Sequence, residues 1–320
     1  MKIDLFVVAI IASILTAYFF PWFGTEESPI NLTLISSWGV SLIFFFYGLK
    51  LNKDDLRNGL QNWRLHLAVQ GSTFLIFPLI VLLFYPLLRN TSYEVLWLSF
   101  LFMATLPSTV SSSVVMVSMA KGNVPGAIFN ASISGIIGIL ITPLWMSPFI
   151  QEIHFDYNFS AIYTNLLLQI LFPLVLGLTF RKFLGAFARK YTHQLSLFDK
   201  TVILLIIYSS FAKSFEDNVF KNIHYLELIS IGAVVVLLFY LVYGFTGWIS
   251  VRLNFSREDK ITAQFCGTKK SLVHGTVFSQ ALFGQTSILG IILLPLMVFH
   301  ALQILIISVI ATRIGKEKPL

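Results

Sequence analysis

Charge is scarce in this chain and cysteine scarcer. Asp, Glu, Lys and Arg make up 12% of 320 residues, while hydrophobic types make up 56%. A water-soluble domain carries roughly a quarter of its residues as charge, so that class is excluded. The single cysteine, Cys266, rules out an intrachain disulfide and a cysteine-rich metal site. Catalytic signatures are missing too. No HExxH, no nucleophile elbow, no carboxylate pair inside an apolar run and no phosphate-binding glycine loop is present. A Ser271–lysine dyad is the one nucleophile arrangement left, and nothing else supports it, so the chain is not read as an enzyme. Carboxylates are also missing from the apolar interior: all fifteen Asp and Glu stand in polar segments or at the edges of apolar runs. Cation-coupled carriers often keep an acidic residue at membrane depth. Here the midplane holds positive charge alone.

What is there is a series of apolar runs. Spans are expected at about 3–23, 31–49, 65–88, 95–119, 124–149, 160–180, 200–214, 227–251, 261–283 and 287–312. Ten transmembrane helices with short links make one all-α integral membrane domain, residues 1–320, in the lipid bilayer. The first span follows a nearly neutral Met-Lys-Ile-Asp start with no small-residue cleavage site, so it is expected to remain as a helix. The net charge of +7 is a topology signal. With the N-terminus inside, the inner segments hold Lys2, then Lys50, Lys53, Arg57 and Arg64, then Lys121. Further on they hold Arg181, Lys182, Arg189, Lys190 and Lys200, then Arg252, Arg257 and Lys260, then Arg313, Lys316 and Lys318. Outside are Arg89, Lys213 and Lys221. Such a bias puts both termini in the cytoplasm and gives no reason to invoke nucleic acid.

Ten spans divide into five and five, about 1–150 and 159–320. An odd number per half makes any internal repeat inverted, an arrangement common in secondary transporters. The halves end alike, in Gly138-Ile-Leu-Ile-Thr-Pro143-Leu144 and Gly290-Ile-Ile-Leu-Leu-Pro295-Leu296. Their fourth and ninth spans each carry a polar interruption: Pro107-Ser-Thr-Val-Ser-Ser-Ser113 in one, Gly267-Thr-Lys-Lys-Ser271 in the other. At 1.5 Å rise per residue Lys269 lies roughly 13 Å in from Lys260, near the middle of a ~30 Å hydrocarbon core. A charge there costs at least about 2.5–3.5 kcal/mol and usually faces a polar cavity. The alternatives are a re-entrant element whose lysines snorkel to water and an intact, proline-kinked helix. Paired broken spans favour a midplane binding site instead. Candidate substrate- or ion-binding residues are therefore Thr109, Ser111, Ser112, Ser113, Thr268, Lys269, Lys270, Ser271 and His274. Asn130 and Ser132 join them from the fifth span, since a buried amide needs partners. Small residues recur every fourth position at Gly267, Ser271, Gly275 and Ser279, and at Gly126, Asn130, Ser134, Gly138 and Thr142. Each series is expected to line one face of a helix and let a neighbour approach.

Several stretches resemble the bile acid:sodium symporter family. They are Gly39-Val-Ser-Leu-Ile-Phe-Phe-Phe-Tyr-Gly48-Leu49-Lys50-Leu51, Ala120-Lys121-Gly122-Asn123-Val124 and Pro173-Leu-Val-Leu-Gly177 near Arg181. Three longer ones are similar to the branch holding the seventh member of solute carrier family 10 and its bacterial relatives. These are Leu106-Pro-Ser-Thr-Val-Ser-Ser-Ser-Val-Val-Met116, Phe129-Asn-Ala-Ser-Ile-Ser134 and Phe265-Cys-Gly-Thr-Lys-Lys-Ser-Leu-Val-His-Gly275. The resemblance covers essentially the whole chain. It implies a core and a panel domain built from inverted five-helix repeats, with helices 4 and 9 broken and crossing at the solute and sodium sites. It also implies a bacterial inner-membrane location. Sodium-coupled relatives carry Glu and Gln two residues either side of the ninth-helix glycine; aligned on Gly267, those positions are Phe265 and Lys269. In the fourth helix the pattern puts Ser113 on a serine ligand for sodium and Val114 on an asparagine ligand.

The expected function is secondary active transport of a small organic anion, with Na⁺ or H⁺ as coupling ion and no cofactor. The alternative is a non-transporting membrane regulator, for example of calcium homeostasis, the role associated with eukaryotic relatives in the branch. A lysine ammonium donates to the same carbonyls and hydroxyls that surround Na⁺. Lys269 or Lys270 is therefore expected to fill the ion site and hold the crossing together.

Overall fold

A computed structural model describes residues 5–24, 28–50, 62–109, 111–153, 164, 167–218, 221, 225–284 and 286–316. Lys2, Lys53, Arg57, Lys318 and most of the link between the two halves lie outside them. Among the described residues every regular element is helical. The principal helices are α1 (Leu5–Phe19), α2 (Leu32–Lys50), α3 (Trp63–Leu82), α4 (Glu94–Thr105), α5 (Ser111–Met119) and α6 (Val124–Ile153). They continue with α7 (Phe172–Lys190), α8 (Thr192–Glu216), α9 (Tyr225–Arg252), α10 (Arg257–Thr268), α11 (Leu272–Phe283) and α12 (Leu289–Lys316). Those around α3, α6, α7, α8, α9 and α12 are long and apolar enough to cross a bilayer.

The fourth span is divided between Thr105 and Ser111, and the ninth between Thr268 and Leu272. Both breaks fall on the polar interruptions. The second corrects the reading of Gly267, Ser271, Gly275 and Ser279 as one helical face. Gly267 ends α10, Ser271 stands in the gap, and Gly275 and Ser279 belong to α11. A second correction concerns 181–199, expected as a loop. It is helical except at Tyr191, and Asp199 sits inside α8, 3.5 Å from Lys50 at the end of α2. Hydropathy marks where a chain leaves hydrocarbon, whereas the helix continues as long as its backbone bonds do.

The chain forms two compact units, each assembled from separated segments. One comprises Met1–Leu51, Gln151–Ile223 and Gly275–Leu293; the other comprises Asn52–Ile150, His224–His274 and Leu294–Leu320. In the first, α2 and α7 meet backbone to backbone. A Cβ on Gly177 would collide with the carbonyl oxygen of Phe45, and one on Gly48 with that of Leu174. Small residues permit such close packing where lipid removes the hydrophobic drive between helices.

In the second unit one carboxylate gathers three helix starts. Asn62 caps α3 by accepting from Leu65 N–H, and Asn123 accepts from Gly126 N–H at the start of α6. Both amides then donate at 2.7 Å to Asp259, in the first turn of α10. Ser256 caps α10 itself, accepting from Asp259 N–H. Charge-assisted bonds of this kind contribute about 1.5–3 kcal/mol each. Asp259→Ala should therefore lower the melting temperature of the solubilised protein by about 5–10 °C, and Asp259→Asn by less. An unchanged melting temperature in the alanine variant would show the three starts to be held by other means.

Candidate solute and ion site

Where α4 stops, three consecutive carbonyls lose their helical partners. Pro107 follows directly, and the next N–H, that of Ser108, donates to Ser134 Oγ on α6 at 3.0 Å. Helix ends leave such groups orphaned, and hydrocarbon offers no water to receive them. The chain fills each one. Thr142 Oγ1 donates to the Thr105 carbonyl at 2.8 Å. Lys270 Nζ donates to the other two, Ala104 at 2.5 Å and Leu106 at 3.0 Å.

The third bond of Lys270 goes to Thr73 O, at 2.7 Å. That carbonyl is orphaned by a different device. α3 contains a π turn over Ser72–Ile76, so Phe77 N–H bonds to Ser72 O rather than to Thr73 O. The next residue is Pro78, which has no N–H to offer. The neighbouring Phe74 carbonyl receives the Trp145 indole N–H at 2.9 Å. Lys270 Nζ also lies 4.4 Å from the centre of the Phe77 ring, a favourable place for a cation. Three acceptors at hydrogen-bond distance require three N–H bonds, so the geometry is that of an ammonium. Lys270 is fully buried. Its charge faces the C-terminal, negative end of α4.

Other bonds tie the two breaks together. Ser271 N–H donates to Pro107 O at 2.9 Å, and Ser108 Oγ donates to Cys266 O at 2.7 Å. A Cβ on Gly138 would lie 2.9 Å from the Pro107 ring, so that glycine lets α6 close against the first break. Gln303 of α12 pairs with both main-chain groups of Lys270, accepting its N–H at 2.9 Å and donating to its carbonyl at 2.8 Å. His300 Nδ1 stands 3.2 Å from the Gln303 amide nitrogen. Ser271 Oγ accepts from His274 N–H and lies 2.9 Å from His274 Nδ1, capping α11.

Lys269 differs from its neighbour. It too is fully buried, yet its bond among the described residues is a long one, 3.4 Å to Ser112 Oγ. Thr109 Oγ1 pairs with Ser112 Oγ at 2.8 Å and Ser113 Oγ at 3.0 Å. Lys269, Ser112, Thr109 and Ser113 thus form one polar chain, and no carboxylate pairs with either lysine among the described residues. Ser111 opens α5. Thr268 Oγ1 is turned back to Gln264 O at 2.6 Å.

Asn130 stands apart from the lysines. Its amide nitrogen lies 2.9 Å from His66 Nδ1 and donates to Gly126 O, while Gln70 donates to its oxygens from α3. It joins α6 to α3. Ser132 is half-buried on α6. Gln303, Ser108 and Thr73 escaped the sequence reading. A buried glutamine in an apolar helix is a visible signal for the first; the partners of the other two, the hydroxyl and N–H of Ser108 and the carbonyl of Thr73, are set by the fold alone.

A polytopic helical protein with a polar site at paired helix breaks has the architecture of a membrane transporter. The chain belongs to the SBF-like CPA transporter family, which matches residues 4–316 and is a family of transporters rather than enzymes. It is 34% identical over 315 residues to an uncharacterized protein of Pseudomonas aeruginosa, covering 98% of this chain and 94% of that one. It is 33% identical over 317 residues to YfeH of Escherichia coli K12, covering 98% and 94%. Sodium/bile acid cotransporter 7 of Danio rerio is 30% identical over 327 residues, covering 98% and 96%.

Replacing Lys270 by methionine keeps the bulk but strands three buried carbonyls, at about 1–3 kcal/mol each. The expected result is a fall in melting temperature of roughly 10 °C or loss of folded protein. Gln303→Leu should cost less, since it orphans one N–H and one carbonyl. Should Lys270→Met melt like the parent protein, the ammonium is not a structural tie.

Proposed function

We propose that this protein is a secondary transporter of a small organic anion, working by alternating access, in which Lys270 is a resident cation and Lys269 receives the solute's negative charge. The observation that carries this reading is the unequal treatment of two adjacent buried lysines. Three carbonyls saturate one ammonium, while the other has, among the described residues, a single long hydroxyl contact. A buried ammonium with so few acceptors among the described residues attracts an anion, because pairing then offsets part of its desolvation cost. The Ser112 hydroxyl beside it, linked through Thr109 to Ser113, adds neutral polar groups. Two units, each interleaved in sequence, support the core-and-panel reading, and the paired breaks support inverted repeats. The bacterial relatives support an inner-membrane location, and the basic segments support cytoplasmic termini.

The zebrafish relative is named for cotransport of sodium and bile acid. Phe265 and Lys269 stand where sodium-coupled members resemble one another in Glu and Gln, so this chain is proposed to do without sodium at that site. Uptake into proteoliposomes tests the reading with a panel of radiolabelled organic anions, under imposed Na⁺ or pH gradients. At least one anion should accumulate, and Lys269→Gln should reduce its uptake at least tenfold while the melting temperature stays within a few degrees of the parent protein. Absence of uptake for every anion, or full uptake by the Lys269→Gln variant, would overturn the assignment.

A further inference from the structure

Away from the lysines, the second unit carries a groove of about 510 Å³ between the first half of α3 and the last turn of α9. Two features set it apart from ordinary lipid-facing surface. Arg64 lies in the first turn of α3 and Arg252 at the end of α9, and both line a groove whose other walls are mainly apolar, with Ser72 and Asn254. Among the described residues no acidic side chain lines it. Each arginine lies against an indole instead of a carboxylate: Arg64 is 5.7 Å from the Trp63 ring centre, and Arg252 is 5.4 Å from that of Trp248. Tryptophan beside arginine is the composition of a headgroup interface. Leu67, Leu75 and Leu253 add exposed apolar surface to the groove.

We propose that this groove binds one anionic phospholipid, its phosphate held by Arg64 and Arg252 and its acyl chain lying along α3 and α9. Charge complementarity decides the occupant. Two guanidiniums without a carboxylate match a phosphate diester bidentately, and a zwitterionic headgroup would bring its own ammonium into the same positive field. Basic pockets between membrane helices are the usual form of such sites. The position also matters to the polar site. Gly71 and Ser72 line the groove, and Ser72 opens the π turn whose next carbonyl, that of Thr73, holds the Lys270 ammonium. Thr246 donates to Ser72 Oγ from α9 at 3.0 Å. A lipid seated there lies directly against the backbone distortion that makes the Lys270 cage.

The experiment compares the full-length protein in detergent with added phosphatidylglycerol, phosphatidylcholine of the same chains, or free glycerol phosphate. Melting temperature and bound-lipid counts by native mass spectrometry are the readouts. Phosphatidylglycerol should bind on the order of tenfold more tightly than phosphatidylcholine, weaken at high salt, and raise the melting temperature. The double variant Arg64→Gln/Arg252→Gln should fold and lose the preference while retaining weak, headgroup-blind lipid binding. Equal binding of the two lipids, an undiminished preference in the double variant, or an equal effect of glycerol phosphate alone would each overturn the proposal.

Discussion

An ammonium group has three N–H bonds, and once water is removed none of them can be left unpaired cheaply. Lys270 meets that requirement with main chain alone. Its three acceptors come from two sources that have nothing in common in sequence: the end of α4 and the π turn of α3. Each source is defective by itself, since a helix terminus and a proline-disrupted turn both expose carbonyls to hydrocarbon. The lysine and the two defects cancel one another. The dependence is mutual, because straightening α3 or continuing α4 would leave a buried charge without partners.

The remaining polar groups of the second unit follow the same logic of complementary faults. Gln303 supplies a donor and an acceptor to the main chain of Lys270, which lies outside both helices, and Ser108 and Ser271 each donate across to the other break, to Cys266 and Pro107. Each broken segment is thus completed by its counterpart. Lys269 falls outside this closure. It brings a second lysine into the same buried region, where its contact among the described residues is the long one to Ser112.

Much of this was legible from residue order. Pro107 followed by hydroxyls, and a lysine pair amid apolar residues, marked both breaks, and the family resemblance rested on motifs that include them. That a lysine could donate to carbonyls at the crossing was also accessible, but not which lysine does so. Adjacent residues diverge in a helix and diverge differently in an extended gap, so the choice depends on the backbone at Lys269, which is extended. The π turn was not visible, since Ser72–Ile76 reads as ordinary apolar helix until its hydrogen bonds are drawn. Asn130 was correctly expected to need partners, yet they sit on α3, because the four-residue spacing that placed it on a face did not say which helix that face meets. Helix ends beyond the apolar runs, as at 181–190, were hidden for the simpler reason that charge does not stop a helix.

Lys270 is proposed to stand where a metal cation would otherwise be useful. The most direct measurement is the sodium dependence of the melting temperature, with choline holding ionic strength constant, in the parent protein and in Lys270→Ala. Carbonyls emptied of their ammonium and given space by the smaller side chain are suitable ligands for Na⁺. A ligand that binds only the native state raises stability with its concentration. A flat response is expected in the parent protein and, in the less stable variant, a sodium-specific rise. A sodium-specific rise in the parent protein, or a variant as stable as the parent and indifferent to sodium, would contradict it.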